Sequence, residues 1–213
     1  MTTHPSRLQH DFPPDAVPSQ WGPGQGIPAH REPGDVLHDV ASSVLGHPVH
    51  RSIELLDVLE GAAHGPADVV RAGDDLLPRL AHENAMTAAL SEAHRNLRPG
   101  GLLICAVPEL DRLRRLRPTA PPPKVVQRPD GRQVTVQLWD WAQDGSNYGL
   151  DVVQLVQHQG GWEISQAVST RHRVLTPEEM SSALMAAGFV GVQRLTPAES
   201  GHPLPVWLGL VPR

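Results

Sequence analysis

The stretch "HENAMTAALSEAHRNLRPGGLLICAVP" at residues 82–108 decides the fold. Met86, Leu90, Ala93 and Leu97 recur at the spacing of a helix's buried stripe. "RPGG" at 98–101 stops that helix, because proline and glycine both interrupt helical backbone. "LLICAVP" then reads as a strand buried on both faces. Just upstream, "ADVVRAG" at 67–73 reads as a second buried strand. A helix between two apolar strands is a βαβ unit, and such a unit makes the strands parallel.

The rear of the chain extends the pattern. In "TPEEMSSALMAAGF" (176–189), Thr176 is a good N-cap, Pro177 suits the first helical position and Glu179 completes a capping box. Met180, Ala183, Leu184 and Ala187 share one helical face, and Gly188 suits the left-handed residue that ends a helix. "FVGVQRL" and "VWLGLV" follow as strands. Residues 118–172 differ in character. "QVTVQLWDWA", "LDVVQLVQHQ" and "WEISQAVS" alternate as antiparallel strands do, with Gly160–Gly161 as a turn. They are expected as a β insertion laid over one end of the parallel sheet.

Composition limits the functions open to the chain. Its 213 residues suffice for one sizeable α/β domain. A net charge of −5 argues against a nucleic-acid partner. No apolar run approaches the ~18 residues that span a bilayer, and the N-terminus lacks a secretory pattern. The single cysteine, Cys105, cannot pair within the chain, so the cytoplasm is the expected compartment. The 12 histidines are scattered without a ligand set, so no metal is expected. The run "DRLRRLRP" at 111–118 is read as a solvated helix face.

"ALSEAHRNLRPGGLLI" resembles the helix, loop and fifth strand of class I S-adenosylmethionine-dependent methyltransferases. "LTPEEMSSALMAAGF" resembles their late helix. "QLWDW", Tyr148, Trp162 and "RHRVLTPEEM" look more narrowly like the small-molecule branch related to glycine N-methyltransferase. The resemblance covers residues 18–213, after a Pro-rich leader at 1–17. It implies a Rossmann-like α/β sheet of seven strands with the last antiparallel. It further implies S-adenosylmethionine as cofactor, S-adenosylhomocysteine as product and a small-molecule methyl acceptor.

The same resemblance assigns cofactor residues in the front half. "GDVLHDVASSVL" at 34–45 resembles the second strand, with Asp39 in the place of the acid that holds the ribose, Val40 beside it and Ser42 opening the next helix. Counting back, Gly22 and Gly24 of "QWGPGQG" (20–26) match two glycines of the cofactor loop. Gln20 and Pro18 stand where the family has its first glycine and leading acid. "VHRSIELLDVL" stands for the third strand, with Glu54, or else Asp57, near the adenine. Gly73, Asp74 and Asp75 follow the fourth strand, where the family lines the sulfonium and substrate. Trp141, Tyr148 and Arg173 are the substrate-side candidates, and Asp74 or Tyr148 the candidate base.

Each assignment has a plainer alternative. Asp39 could cap a helix at Ser42, and Asp74 and Asp75 could be N-caps. Trp139 and Trp141 could be core, and Tyr148 surface packing. Arg171 and Arg173 could be paired with acids rather than clamp a carboxylate. Pro18, Gln20 and two shortened helices also fit a catalytically inactive relative that binds a ligand or a partner.

Overall fold

The computed structural model describes residues 33–213 except 74, 129–130 and 159. Described residues fall in one compact unit, Glu32–Arg213. The leader and the start of the domain at residue 18 lie outside them.

The chain opens with α1 (Pro33–Leu45), β1 (Ser52–Glu54), α2 (Leu55–Leu59), β2 (Ala67–Ala72) and α3 (Leu76–His82). Next come α4 (Met86–Asn96), β3 (Leu97–Ala106) and α5 (Asp111–Leu116). The middle is β4 (Lys124–Arg128), β5 (Gly131–Trp141), β6 (Asn147–His158) and β7 (Gly161–Arg173). It ends with α6 (Pro177–Ala186), β8 (Val190–Leu195), α7 (Pro197–Ser200) and β9 (Val206–Leu210).

Two sheets result. The first runs β1-β2-β3-β9-β8, and the second is the meander β4-β5-β6-β7. β1, β2 and β3 are parallel, while β9 runs antiparallel to β3 and β8. The expected βαβ unit is therefore present, and so is the antiparallel insertion.

Alternation along the central strands divides the core. Val70, Leu103 and Cys105 face one side, packed with Leu77 of α3, Leu90 of α4 and Leu184 of α6. Val69, Leu102 and Ile104 face the other, packed with Leu37 and Ala41 of α1. The capping box at Thr176 forms as expected, with Thr176 accepting from the Glu179 amide and Glu179 accepting from the Thr176 amide. Gly188 has φ +95°, the left-handed conformation that closes α6.

Three front-half expectations are corrected. Residues 34–45 are not a strand: Asp39, Val40 and Ser42 all lie inside α1. Leu37, Val40, Ala41 and Leu45 fall on one helical face and pack on the sheet. Pro33 starts that helix, Asp35 sits in its first turn, and Gly46 at φ +71° follows its end. "VHRSIELLDVL" yields only three strand residues before α2 begins at Leu55. The main sheet has five strands among the described residues, where the resemblance implies seven for the whole domain. In a doubly wound sheet ordered 3-2-1-4-5, the neighbour of the fourth strand is the first. β1 lies beside β2, so it takes the first strand's place rather than the third's.

Candidate functional site

Ligands of open α/β sheets collect at the carboxyl ends of the parallel strands. Here that edge carries Glu54, Arg71 and Gly73. Glu54 ends β1 directly opposite Arg71 of β2, and their side chains form an ion pair at 2.6 Å. Nε of Arg71 is buried without a hydrogen-bond partner. Gly34, at the start of α1, lies close enough that a Cβ there would stand 3.8 Å from the Arg71 guanidinium.

Two cavities share Glu54 and Gly73. One, of about 160 Å³, adds Leu37, Arg71 and His202. The other, of about 240 Å³, adds Leu56, Asp57, Asp75 and Arg79. Each is smaller than the ~300–1,000 Å³ of a typical small-molecule pocket. Their chemistry is a carboxylate acceptor, a guanidinium with an unused donor, and aliphatic walls. That set suits a ligand with hydroxyl donors, an anionic end and an apolar ring.

A column of rings stands nearby. Trp141, Tyr148 and His172 are directly opposite one another on β5, β6 and β7, so their side chains share a face. Tyr148 stacks on His172 with centroids 4.8 Å apart and on Trp139 at 5.0 Å, and Trp139 stacks on Trp141 at 5.5 Å. Trp141 and Tyr148 line a further cavity of about 220 Å³ together with Asp140, Asn147 and Arg171. Trp141 Nε1 donates to the Pro118 carbonyl at 2.9 Å, which fixes its ring.

His172 links this column to the strand ends. It is fully buried, and neither ring nitrogen has a hydrogen-bond partner. Its Nε2 stands 3.8 Å from Asp75, at the N-terminus of α3. His172 holds the Asp75 carboxyl below the usual carboxylate range, against the opposing effect of burial. Burial pushes the Tyr148 phenol well up, and the Asp75 charge adds to the shift. Tyr148 therefore keeps its proton at neutral pH. It can donate a hydrogen bond, but it is not poised as a base.

The expected site residues thus separate. Glu54 and Gly73 share the strand-end cavities, and Trp141 and Tyr148 share the cavity beside the rings. Asp39 is exposed in mid-helix, and Val40 packs against the core. Arg173 pairs with Glu179, and Arg171 with Asp140 at 3.3 Å, so acids are their partners. Asp74, Gly22 and Gly24 lie outside the described residues. The two glycines precede β1 in the chain, although the resemblance puts the cofactor loop after the first strand. The turn after β1 is instead occupied by Leu55 and Leu56 of α2.

Sequence reasoning missed Arg71 and His172. Arg71 is the one cation in "ADVVRA", a strand whose only other charged residue is Asp68, and that contrast marks it. His172 sits between Arg171 and Arg173, on the opposite face of an alternating strand, where strand periodicity could have found it.

No protein-family model matches the sequence, and no curated protein matches it either. Solved structures do. SAM-bound CalS10, an amino pentose methyltransferase from Micromonospora echinaspora, superposes with TM-score 0.65 at 15% identity, covering 85% of this chain and 92% of that one. The sugar N-methyltransferase KedS8 from a Streptoalloteichus species gives TM-score 0.59 at 14% identity, over 93% of this chain and 99% of its own. An S-adenosylmethionine-dependent methyltransferase from Clostridium acetobutylicum gives 0.54 at 8% identity. There the match takes in 71% of this chain but only 61% of the Clostridium protein. The chain has the fold of the S-adenosylmethionine-dependent methyltransferases.

Proposed function

We propose that this protein transfers a methyl group from S-adenosylmethionine to a small-molecule acceptor. The observation that carries the reading is the shared fold, combined with cavities at the carboxyl ends of β1 and β2 that set Glu54 and Arg71 among apolar walls. The residues there suit the cofactor's groups. Glu54 can accept from ribose hydroxyls, the unpaired Arg71 Nε can meet the amino-acid carboxylate, and Leu37 and Leu56 offer apolar walls. The cofactor, when bound, supplies a methyl already activated on sulfur. The protein's task is then to align the acceptor and exclude water. Asp75 contributes a fixed negative charge on that edge, suited to a cationic ligand.

Gly73, with Asp74 beside it, is assigned to the same end of β2. Gly22 and Gly24 keep their assignment by resemblance alone. On the acceptor side, Trp141 forms a wall and Tyr148 a donor, and Asp74 stays the proposed base if the acceptor must lose a proton. CalS10 and KedS8 are sugar methyltransferases by name, and an aromatic wall beside Asn147 and Asp140 suits a sugar-sized acceptor. The finer kinship with the glycine N-methyltransferase branch rests on "QLWDW" and "RHRVLTPEEM". A cytoplasmic setting is supported by the lone Cys105, which has no second cysteine in the chain to pair with.

A second reading has its own support. Glu54 is already paired with Arg71, and no glycine follows β1 within α2. A chain that kept the fold without the reaction would look like this. Isothermal titration of the full chain with S-adenosylmethionine and S-adenosylhomocysteine separates the two. Saturable heat is expected for both ligands. No heat at high micromolar ligand would leave the inactive reading.

A further inference from the structure

His172 is a buried polar side chain that the methyl-transfer reading leaves unused. It lies on the ring face of β7, opposite Tyr148, with no exposed surface. Neither ring nitrogen has a hydrogen-bond partner among the described residues. A buried polar group left unpaired costs stability. A phenylalanine would stack on Tyr148 as well and leave nothing unsatisfied. Stacking alone therefore does not account for an imidazole at this place.

The charge that His172 faces is Asp75. Its Nε2 stands 3.8 Å from Asp75 Oδ2, a little beyond hydrogen-bond distance. The two partners differ in freedom. His172 is held by Tyr148, stacked at 4.8 Å, and Tyr148 by Trp139 at 5.0 Å. The Asp75 side chain is 60% exposed, so it is the partner that can turn to close the gap. Asp75 also borders the strand-end cavity that holds Glu54, Asp57 and Gly73.

A second group competes for the same carboxylate. Arg79, one turn along in α3, lines that cavity too. His172 and, less strongly, Arg79 hold the Asp75 carboxyl below its ordinary range, against the effect of burial. The two partners have opposite consequences for a ligand. Paired with Arg79, the carboxylate would meet a full positive charge inside the cavity, which would cancel its field there. A neutral imidazole donates one N–H and brings no charge. Held by His172, Asp75 keeps its whole negative charge for the ligand.

We propose that His172 is a positioning residue that holds Asp75 away from Arg79, and so makes the strand-end cavity selective for a positively charged ligand. The inference rests on the methyl-transfer reading and gives it a direction. The sulfonium of S-adenosylmethionine is positive. The thioether left when its methyl has gone to the acceptor is neutral, because the electron pair of the broken bond stays on sulfur. A carboxylate held by His172 favours the first sulfur over the second, so it retains the reactant and lets the spent product leave.

The test is calorimetric titration of the full chain with S-adenosylmethionine and S-adenosylhomocysteine, read as the ratio of the two dissociation constants. His172→Phe keeps the ring stack and removes the N–H. It should weaken S-adenosylmethionine about threefold to tenfold more than S-adenosylhomocysteine. His172→Gln returns an N–H donor and should recover most of the ratio. Asp75→Asn should move the ratio by the same factor as His172→Phe, and the two together should add nothing further. A wild type that binds neither ligand would remove the methyl-transfer reading and this inference with it. A wild type that binds both, with the ratio unchanged in His172→Phe, would overturn the inference alone. So would equal weakening of both ligands, as in structural damage, or a His172→Gln variant no better than His172→Phe. Should His172→Phe not fold, the imidazole nitrogen-15 resonances of His172 decide. Asp75→Asn should shift the protonated Nε2, and an unmoved resonance would overturn the proposal.

Discussion

Glu54 and Asp39 make opposite predictions about one ligand. Glu54 lines both strand-end cavities, whereas Asp39 sits in an exposed stretch of α1. Glu54→Ala should weaken S-adenosylhomocysteine binding by about 1–3 kcal/mol, the usual cost of losing a hydrogen-bonded acceptor. Asp39→Ala should leave the affinity unchanged in the same calorimeter. The reverse result would restore the ribose site to Asp39. Asp68 supports the site from below. Its buried carboxylate accepts from the His50 and Arg51 amides at 2.7 and 2.9 Å and pairs with Arg98 at 2.9 Å. Burial raises its pKa, but the two amides and Arg98 together lower it below the ordinary value. Asp68→Asn should cost about 1–3 kcal/mol in urea unfolding, because these bonds are charge-assisted. Asp75 carries a pH signature. His172 favours its ionised form, so its contribution to stability is present above the ordinary pKa of 3.8 and lost as pH falls below it. The melting-temperature gap between wild type and Asp75→Asn should therefore narrow as pH falls below 3.8. A gap that stays constant would remove the His172–Asp75 coupling.

Elements with strong local signals were readable before any coordinates. α6 had a cap, a first-turn proline, a capping-box glutamate and a terminal glycine, all agreeing with its apolar period. Thr176→Ala should cost about 1 kcal/mol by chemical denaturation. Glu179→Ala should cost more, because Glu179 both closes the box and holds Arg173. β2 and β3 were legible because their buried cores, Val69–Val70 and Leu102–Ala106, are apolar on both faces, and the meander because its strands alternate. α1 occupies the stretch that the resemblance assigns to a strand. "GDVLHDVASSVL" lies at the spacing where the resemblance puts a strand ending in an acid, yet Leu37, Val40 and Ala41 follow helical periodicity. Spacing borrowed from a family outweighed the local period, and the period was right. β1 was placed as a third strand because chain order gives no sheet order. Only its pairing with β2 reveals which position it fills.

At the level of the whole molecule, the main sheet supplies a carboxyl edge and the second sheet supplies the rings beside it. α3 connects them, carrying Asp75 at one end and lying against β7. The proposed ligand site was partly legible, since strand ends single out Glu54 and Gly73 in an α/β fold of this kind. Arg71 and His172 carry only weak local marks, and their partners, Glu54 and Asp75, come from other elements. No helix among the described residues is long and apolar enough to cross a membrane. The central claim is that the cofactor sits where β1 and β2 end. A crystal structure of the chain grown with S-adenosylhomocysteine tests it most directly. The expected result is density against Glu54, Arg71 and Gly73. Density elsewhere, or none at saturating ligand, would contradict the account.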